Sequence, residues 1–193
     1  MPRIQAGTVR EHRELMLTTL VDAAEQIVIT EGVDALTAGR VTAAAGIARN
    51  SLYRHVASMD ELRLLVIDRH LPAWTDAVLA AMQRARSPRG KVLAYVEENL
   101  NQAAETGHGW LISMSRGLSE SARADVVDAH RVLGTVLVEQ IRQLDPSQAA
   151  LSTALVQAVL EAGFTRLDEG DPHEVALERC RRAVKSILGG VGH

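Results

Sequence analysis

Apolar residues recur along most of the chain every three or four positions, the spacing that gives a helix one buried face. Strict alternation of apolar and polar residues, the pattern of a half-buried strand, is almost missing. A first helix is predicted at about Glu11 to Thr30, with Gly32 just past its end as a helix stop. The pattern therefore predicts an all-α protein of roughly nine helices.

Short polar signals divide the segment that follows the first helix. Thr37 can cap a short second helix that runs through Ala45, and Gly46 then provides a turn. A third short helix is predicted at about Arg49 to His55.

The fourth helix has a marked start and a marked interruption. Ser58 and Glu61 have the spacing of a capping box, in which each side chain bonds a backbone N–H at the helix start. Pro72 disfavours helical geometry at Leu71, so we expect the helix to stop or kink there and a fifth to open. Ser87 caps a further helix to about residue 104, and others are predicted near 110–118, 121–144, 147–168 and 172–188.

Composition and charge narrow the classes of function. Hydrophobic residues make up 47% of the 193 positions, enough for a sizeable core. The net charge of −3 argues against a generally basic nucleic-acid coat, but positive charge is local: residues 37–57 hold three arginines and no acid. Arg3, Arg10 and Arg13 near the N-terminus form either a DNA-contacting arm or a loose polar tail.

The paired short helices have the helix-turn-helix plan, whose second helix enters the major groove of DNA. Ala43, Ala44 and Ala45 are expected to pack closely in the first helix of the pair, with Ile47 and Leu52 as inward anchors. The remaining side chains are then directed mostly outward, and they are Arg49, Asn50, Ser51, Tyr53, Arg54 and His55.

These outward side chains combine two kinds of donor. Side chains that make bidentate hydrogen bonds, such as those of arginine and asparagine, read base edges, whereas cations and hydroxyls bind phosphates. The front of the third helix is therefore predicted to reach bases through Arg49, Asn50 and Ser51. Phosphate contacts are predicted for Thr37, Arg40, Tyr53 and His55, and Arg54 belongs to the same surface. The alternative is an ordinary solvated helix face.

The segment EGVDALTAGRVTAAAGIARNSLYRHVASMDEL, from Glu31 to Leu62, resembles the signature of the tetracycline-repressor (TetR) family of bacterial transcriptional regulators. The resemblance covers about fifty N-terminal residues and depends on their order and spacing. It departs from the family pattern at Ala48 (commonly a capping Ser or Thr), Val56 (commonly Phe) and Met59 (commonly Lys). The missing lysine suggests either weaker binding to the DNA backbone or compensation by Arg63 or the N-terminal arginines.

The resemblance implies a transcriptional regulator, most often a repressor, that binds a double-stranded DNA operator and responds to a small molecule. Residues 1–57 would form an arm and a three-helix DNA-binding domain, and residues 58–193 a larger helical domain for effector binding and dimerisation. One recognition helix makes few base contacts, so a homodimer on a palindrome is expected.

Two sets of residues are candidates for these further roles. A mainly apolar effector pocket can be lined by Trp74, Met82, Tyr95, Trp110, Met114 and His130, although a plain core position is the default interpretation of each one taken alone. The helix predicted at 147–168 is apolar on two sides, so one side is predicted to meet a second copy with the last helix beside it, and the alternative is a core formed entirely within one chain. The interface candidates are Leu151, Leu155, Ala158, Val159, Ala162, Leu177, Val184 and Leu188.

Signals of an enzyme are weak. The seven histidines are scattered, and no metal-protease, nucleophile-elbow or phosphate-loop motif occurs. The single cysteine, Cys180, lies on an apolar stripe and is predicted to be a buried thiol. No metal or cofactor is expected, and with neither a signal peptide nor an apolar span the protein is predicted to be cytoplasmic. The competing hypothesis is a helical enzyme or scaffold with an incidental helix-turn-helix.

Overall fold

The structure is a computed structural model that describes residues 9–116 and 118–189, with the backbone alone at positions 9, 108, 112, 116 and 121–130. Every regular element in these ranges is helical, which confirms the all-α prediction. They contain eight α-helices and two short 3-10 helices. Arg3 lies outside the described residues, so its predicted role stays a prediction.

Five elements occupy the N-terminal part of the described chain. They are α1 (Val9–Glu31), a 3-10 helix at Val33–Ala35, α2 (Ala38–Ala44), a second 3-10 helix at Arg49–Arg54 and α3 (Met59–Arg84). We call Arg49–Arg54 the recognition segment. The remaining helices are α4 (Pro88–Thr106), α5 (His108–Arg116), α6 (Glu120–Leu144), α7 (Ala149–Asp168) and α8 (His173–Gly189).

The chain divides into two compact units. Unit 1 contains the residues up to Arg69 together with Ser113–Arg123, and unit 2 contains His70–Ile112 and the residues from Ala124 onward. Three helices, α3, α5 and α6, therefore begin in one unit and end in the other. The predicted functional boundary after residue 57 stays a prediction.

Most of the predicted caps are present. The Thr37 hydroxyl accepts a hydrogen bond from the Arg40 N–H at 3.3 Å, and the Ser87 hydroxyl accepts one from the Gly90 N–H at 3.1 Å. Gly32, with a φ of 87°, follows α1 as predicted. These local signals fix the helix starts and stops because each satisfies backbone groups that a helix end leaves open.

The prediction that a helix ends at Leu71 is wrong, because α3 continues through Pro72 to Arg84. Proline in a helix interior removes one hydrogen bond and crowds the preceding turn, at a cost of about 3 kcal/mol. Buried side chains lie on both sides of it, Val66 and Ile67 in unit 1 and Trp74 and Val78 in unit 2. Their burial offsets that cost, and a local rule about proline does not take this burial into account.

The core of unit 2 is a single cluster of buried side chains, and α4, α7 and α8 pack together in it. Gly163 of α7 lies at the closest approach. A Cβ added there would be 2.7 Å from Leu100 Cδ2 and 2.9 Å from Cys180 Sγ. Cys180 is buried, as predicted, and its thiol donates to the Val159 carbonyl at 3.5 Å. Burial raises the pKa of the Cys180 thiol, which makes it a poor nucleophile.

Gly163→Ala is expected to lower the free energy of unfolding by about 1–3 kcal/mol, because two packed side chains would have to move. Gly134→Ala is the matched control, since an added Cβ meets no atom within 4 Å at that position of α6. The control is expected to raise the free energy of unfolding by about 0.5–1 kcal/mol. Urea unfolding followed by circular dichroism measures both. Equal effects of the two substitutions would contradict the close packing at Gly163.

Candidate nucleic-acid interface

The turn between α2 and the recognition segment is fixed by backbone hydrogen bonds. Gly46 has a φ of 69°, a left-handed conformation that glycine adopts without strain. The Ile47 N–H donates to the Thr42 carbonyl at 2.9 Å, and the Gly46 N–H donates to the Ala43 carbonyl at 3.2 Å. This pair of bonds is a Schellman motif, which ends α2 and redirects the chain toward the recognition segment.

The packing face of α2 differs from the predicted one. Ala43 and Ala44 are exposed, and the buried residues of the helix are Val41 and Thr42. The expectation that the alanines make the close contact is therefore wrong. The Thr42 hydroxyl is satisfied inside the helix by the Ala38 carbonyl at 2.8 Å, so this polar residue can face the interior without an unpaired group.

The recognition segment is a 3-10 helix anchored from below. Leu52 and Val56 are both buried, and Ile47 is half-buried. Leu52 is the predicted anchor, and Val56 packs beneath the segment in spite of its small size. Ala48 has the extended backbone of an N-cap residue but makes no side-chain cap bond, as expected from its side chain. The segment is therefore held mainly by its buried side and by the turn before it.

The donor side chains are placed on the open side of this segment. Arg49, Asn50 and Arg54 are exposed, and Tyr53 has 57% of its surface exposed. Ser51 and His55 are half-buried. The Nδ1 atom of His55 is buried and has no hydrogen-bond partner among the described residues, so the imidazole keeps an unused polar group at the end of the segment.

Thr37 and Arg40 lie at the start of α2, and both are exposed. The Thr37 hydroxyl caps the helix, and the Arg40 guanidinium pairs with the carboxylate of Glu31 at the end of α1. An exposed pair of this kind contributes about 0–1 kcal/mol, so an incoming phosphate can compete for the guanidinium. Sequence reasoning did not anticipate this partner.

The start of α3 has the predicted capping box in a slightly shifted form. The Glu61 N–H donates to the Ser58 hydroxyl at 3.1 Å, and the Glu61 carboxylate accepts from the Ala57 N–H rather than from that of Ser58. Met59 is half-buried, and the Arg63 guanidinium lies 3.8 Å from Asp60. This acidic neighbour weakens the expectation that Arg63 replaces the missing lysine on DNA.

An ion-pair group that no sequence pattern indicated links α1 and α3 within unit 1. Arg69 Nη1 lies 2.7 Å from an Asp22 oxygen and 2.8 Å from a Glu25 oxygen. Arg69 is more than forty positions from both carboxylates, so only the folded backbone brings it to them. They brace the helix that follows the recognition segment against the first helix.

The protein-family comparison agrees with this geometry. Residues 20–66, which span α1 from Leu20, α2, both 3-10 helices and the first part of α3, match the model of bacterial regulatory proteins of the tetR family. The chain therefore carries a DNA-binding region of the TetR family. It is a transcriptional regulator with a DNA-binding helix-turn-helix, and the family is one of regulators rather than enzymes.

Individual relatives extend the similarity beyond the matched segment. The chain is 29% identical over 154 residues to the HTH-type transcriptional regulator BetI of Rhizobium meliloti (strain 1021), covering 78% of this chain and 73% of BetI. A TetR-family regulator from Streptomyces coelicolor has a TM-score of 0.75 at 17% identity, over 97% of this chain and 98% of its own. A TetR-like regulator from Rhodococcus sp. RHA1 has a TM-score of 0.69 at 21% identity, over 98% and 99%.

The predicted effector residues of this regulator are only partly grouped. Trp74, Met82 and Tyr95 lie together in the core of unit 2. Trp110 is half-buried in the same unit, with its indole edge against His70 at 5.3 Å between ring centroids. Met114 is buried but belongs to unit 1, and the side chain of His130 lies outside the described residues.

Buried polar contacts account for part of that core. The Trp74 indole N–H donates to Asn99 Oδ1 at 2.9 Å, and the Asn99 amide donates to the Tyr95 carbonyl at 2.8 Å. Burial also raises the pKa of the Tyr95 phenol, so its hydroxyl remains protonated at neutral pH. Asn99 was missed by sequence reasoning because one asparagine on a helix gives no sign of its partner.

The predicted interface residues separate into exposed and buried sets. Leu151 and Leu155 are 58% and 44% exposed, Ala158 and Ala162 are exposed, and Val159 and Leu177 are half-buried. Val184 and Leu188 are buried in the core of their own unit, so their assignment to a surface is wrong. The reason is that the stripe of α8 that they share with Cys180 packs inside its own unit.

A groove of about 260 Å³ runs between α7 and α8 beside these residues, and its lining includes Val159, Ala162 and Ala183. The described residues contain no group of three side chains suited to holding a metal ion. Among the described helices, none is both long and apolar enough to cross a membrane.

Proposed function

We propose that this regulator is a ligand-responsive repressor that acts in the cytoplasm on a palindromic DNA operator and is released by a small, mainly apolar molecule. The DNA-binding part of this proposal is supported by the exposed hydrogen-bond donors of the recognition segment. The segment itself is anchored by the buried side chains of Leu52 and Val56. No acidic residue occurs between positions 37 and 57 to repel phosphates.

In this proposal the donors divide as their chemistry suggests. Arg49, Asn50 and Ser51 reach base edges in the major groove. Bidentate hydrogen bonds from an arginine select guanine, and those from an asparagine select adenine. The surrounding side chains hold phosphates and set the register, and these are Thr37, Arg40, Tyr53, Arg54 and His55. The exposed pair between Arg40 and Glu31 has to exchange partners for this to happen, at little cost.

Enrichment of random DNA on the purified protein is expected to give an inverted repeat with half-sites about 34–36 Å apart. Arg49→Ala and Asn50→Ala should each weaken binding to that sequence by about 1–3 kcal/mol and relax the preference at one base pair. Tyr53→Phe should weaken binding evenly across sequences. Fluorescence anisotropy with mutated half-sites measures all three.

The matched control for the charge change is Arg86→Ala, which removes an exposed arginine between α3 and α4. It is expected to leave both affinity and base preference unchanged. If Arg49→Ala and Asn50→Ala behave like this control, the recognition segment does not read the bases.

The proposal includes a twofold dimer formed through α7 and α8. Support comes from the two large apolar side chains that α7 leaves exposed, Leu151 and Leu155, and from the small residues Ala158 and Ala162 beside them. Small side chains let a partner helix approach closely, and large exposed leucines are costly unless covered. Val159 and Leu177, which are half-buried, complete the proposed surface.

Leu155→Asp is expected to raise the dissociation constant of the dimer at least tenfold, about 1.4 kcal/mol, because a charge would be buried at the contact. Val132→Asp is the control, since Val132 is a similarly exposed apolar residue on α6. Sedimentation velocity across a range of concentrations measures the change. A wild-type protein that is monomeric at micromolar concentration would rule the dimer out.

The effector is proposed to bind within unit 2. The core there is mainly Val and Leu with Trp74, Met82 and Tyr95 among them, and Gln140 of α6 is buried with an Oε1 atom that has no hydrogen-bond partner among the described residues. An unused buried acceptor favours a ligand that carries a donor group on an otherwise apolar body. Trp110 is half-buried and remains the proposed lining residue nearest to the surface.

A panel of small apolar compounds is expected to contain ones that quench the fluorescence of Trp74 and Trp110 and lower DNA affinity by about 5–150-fold without unfolding the protein. Trp110→Ala should weaken such a compound and leave DNA binding intact, whereas Val132→Ala should change neither. If Trp110→Ala abolishes DNA binding and cooperative folding together, Trp110 is a core residue and this pocket is wrong.

A further inference from the structure

Unit 1 contains the recognition segment, and we call it the reading unit. A short stretch late in the chain also belongs to it. Residues Ser113–Arg123 cluster with unit 1, although the residues before and after them belong to unit 2. α5 passes from unit 2 into unit 1, and α6 begins in unit 1 and continues into unit 2. The junction between α5 and α6 is therefore a second place, besides α3, where the chain passes between unit 2 and the reading unit.

One specific hydrogen bond ties this junction to the start of α3. The Ser119 N–H donates to Asp60 Oδ2 at 3.0 Å, across 59 positions of sequence. Ser119 directly precedes Glu120, the first residue of α6, so its N–H is one of the backbone groups that a helix start leaves open. Asp60 is in the first turn of α3.

The start of α6 lacks the usual local partner for this N–H. In a capping box the side chain three positions after the cap residue accepts from the cap residue's N–H. That position is occupied here by Ala122, which has no acceptor. The Asp60 carboxylate supplies the acceptor from another helix. A charged acceptor makes a stronger bond than a neutral one.

Buried apolar side chains near the end of α5 and just before α6 also belong to unit 1. Met114 of α5 is 0% exposed, and Leu118, just before Ser119, is 2% exposed. Met114 was predicted to line an effector pocket, but its place in unit 1 suits a different role. Together the two apolar anchors and the Asp60 bond fix the α5–α6 junction to the reading unit.

We propose that Asp60 is a positioning residue that couples the start of α6 to the recognition segment. Asp60 lies between Ser58 and Glu61, whose capping box fixes Ala57 just after that segment. A displacement of α6 is thereby passed to the turn that follows the reading surface. This inference rests on the proposed function, because it supplies a route from the effector unit to DNA.

The bond itself is tested by amide hydrogen exchange of Ser119, measured by NMR in the full-length protein. Asp60→Ala should speed exchange of that amide about tenfold, as expected for the loss of a charge-assisted hydrogen bond. Asp60→Asn keeps an acceptor oxygen and should retain most of the protection. Asp76→Ala, which removes an exposed carboxylate from the same helix, should have no effect. Equal exchange in all four proteins would overturn the proposal.

The coupling is tested with the enriched DNA as the ligand, since linkage between two sites is reciprocal. Binding of this DNA should slow amide exchange in α6 around Leu133 and Leu137 of the wild type. In Asp60→Ala the DNA should still bind, but this slowing should fall at least threefold, with Asp60→Asn between the two.

The two possible failures can be told apart. If the wild type enriches no DNA sequence, the proposed function is wrong, and the Ser119 exchange still decides whether the bond exists. If DNA binds and slows exchange in α6 equally in the wild type and in Asp60→Ala, the proposed function stands and the positioning role of Asp60 is overturned.

Discussion

The exposed donors of the recognition segment depend for their positions on the burial of Leu52 and Val56. A 3-10 helix of six residues has too few hydrogen bonds to persist alone, and Ala48 provides no side-chain cap at its start. Its shape must come from the apolar side, and from the turn at Gly46 that precedes it. Only then are the outward donors of the segment held at fixed positions rather than spread over many conformations.

Three acidic residues of unit 1 have a related function, because each is engaged in a specific contact. Glu31 pairs with Arg40, Glu61 accepts from the Ala57 N–H, and Asp60 accepts from the Ser119 N–H. A carboxylate that pairs with an arginine or lies at a helix N-terminus has part of its charge balanced locally, which reduces its repulsion of a phosphate backbone. Unit 1 thus uses these three acids as structural acceptors, although the whole chain is slightly acidic.

Sequence reasoning succeeded where a few neighbouring residues decide the outcome. Thr37, Gly46 and the Ser58–Glu61 box act within one turn, so their roles could be predicted. It failed at Pro72, where distant packing outweighs a local preference. It also could not detect the bond from Ser119 to Asp60, because spacing says nothing about contacts between remote helices. Val184 was misassigned since an apolar stripe does not reveal which neighbour covers it.

The burial of Cys180 has a practical consequence for spectroscopy. It is the only cysteine in the chain, and it is buried with a thiol whose pKa is raised, so it is expected to react slowly with thiol reagents. A cysteine introduced at an exposed position of the recognition segment would react much faster. A spin label or dye can therefore be attached there selectively in the otherwise native protein, and in the proposed dimer the distance between two such labels would report the spacing of the two recognition segments.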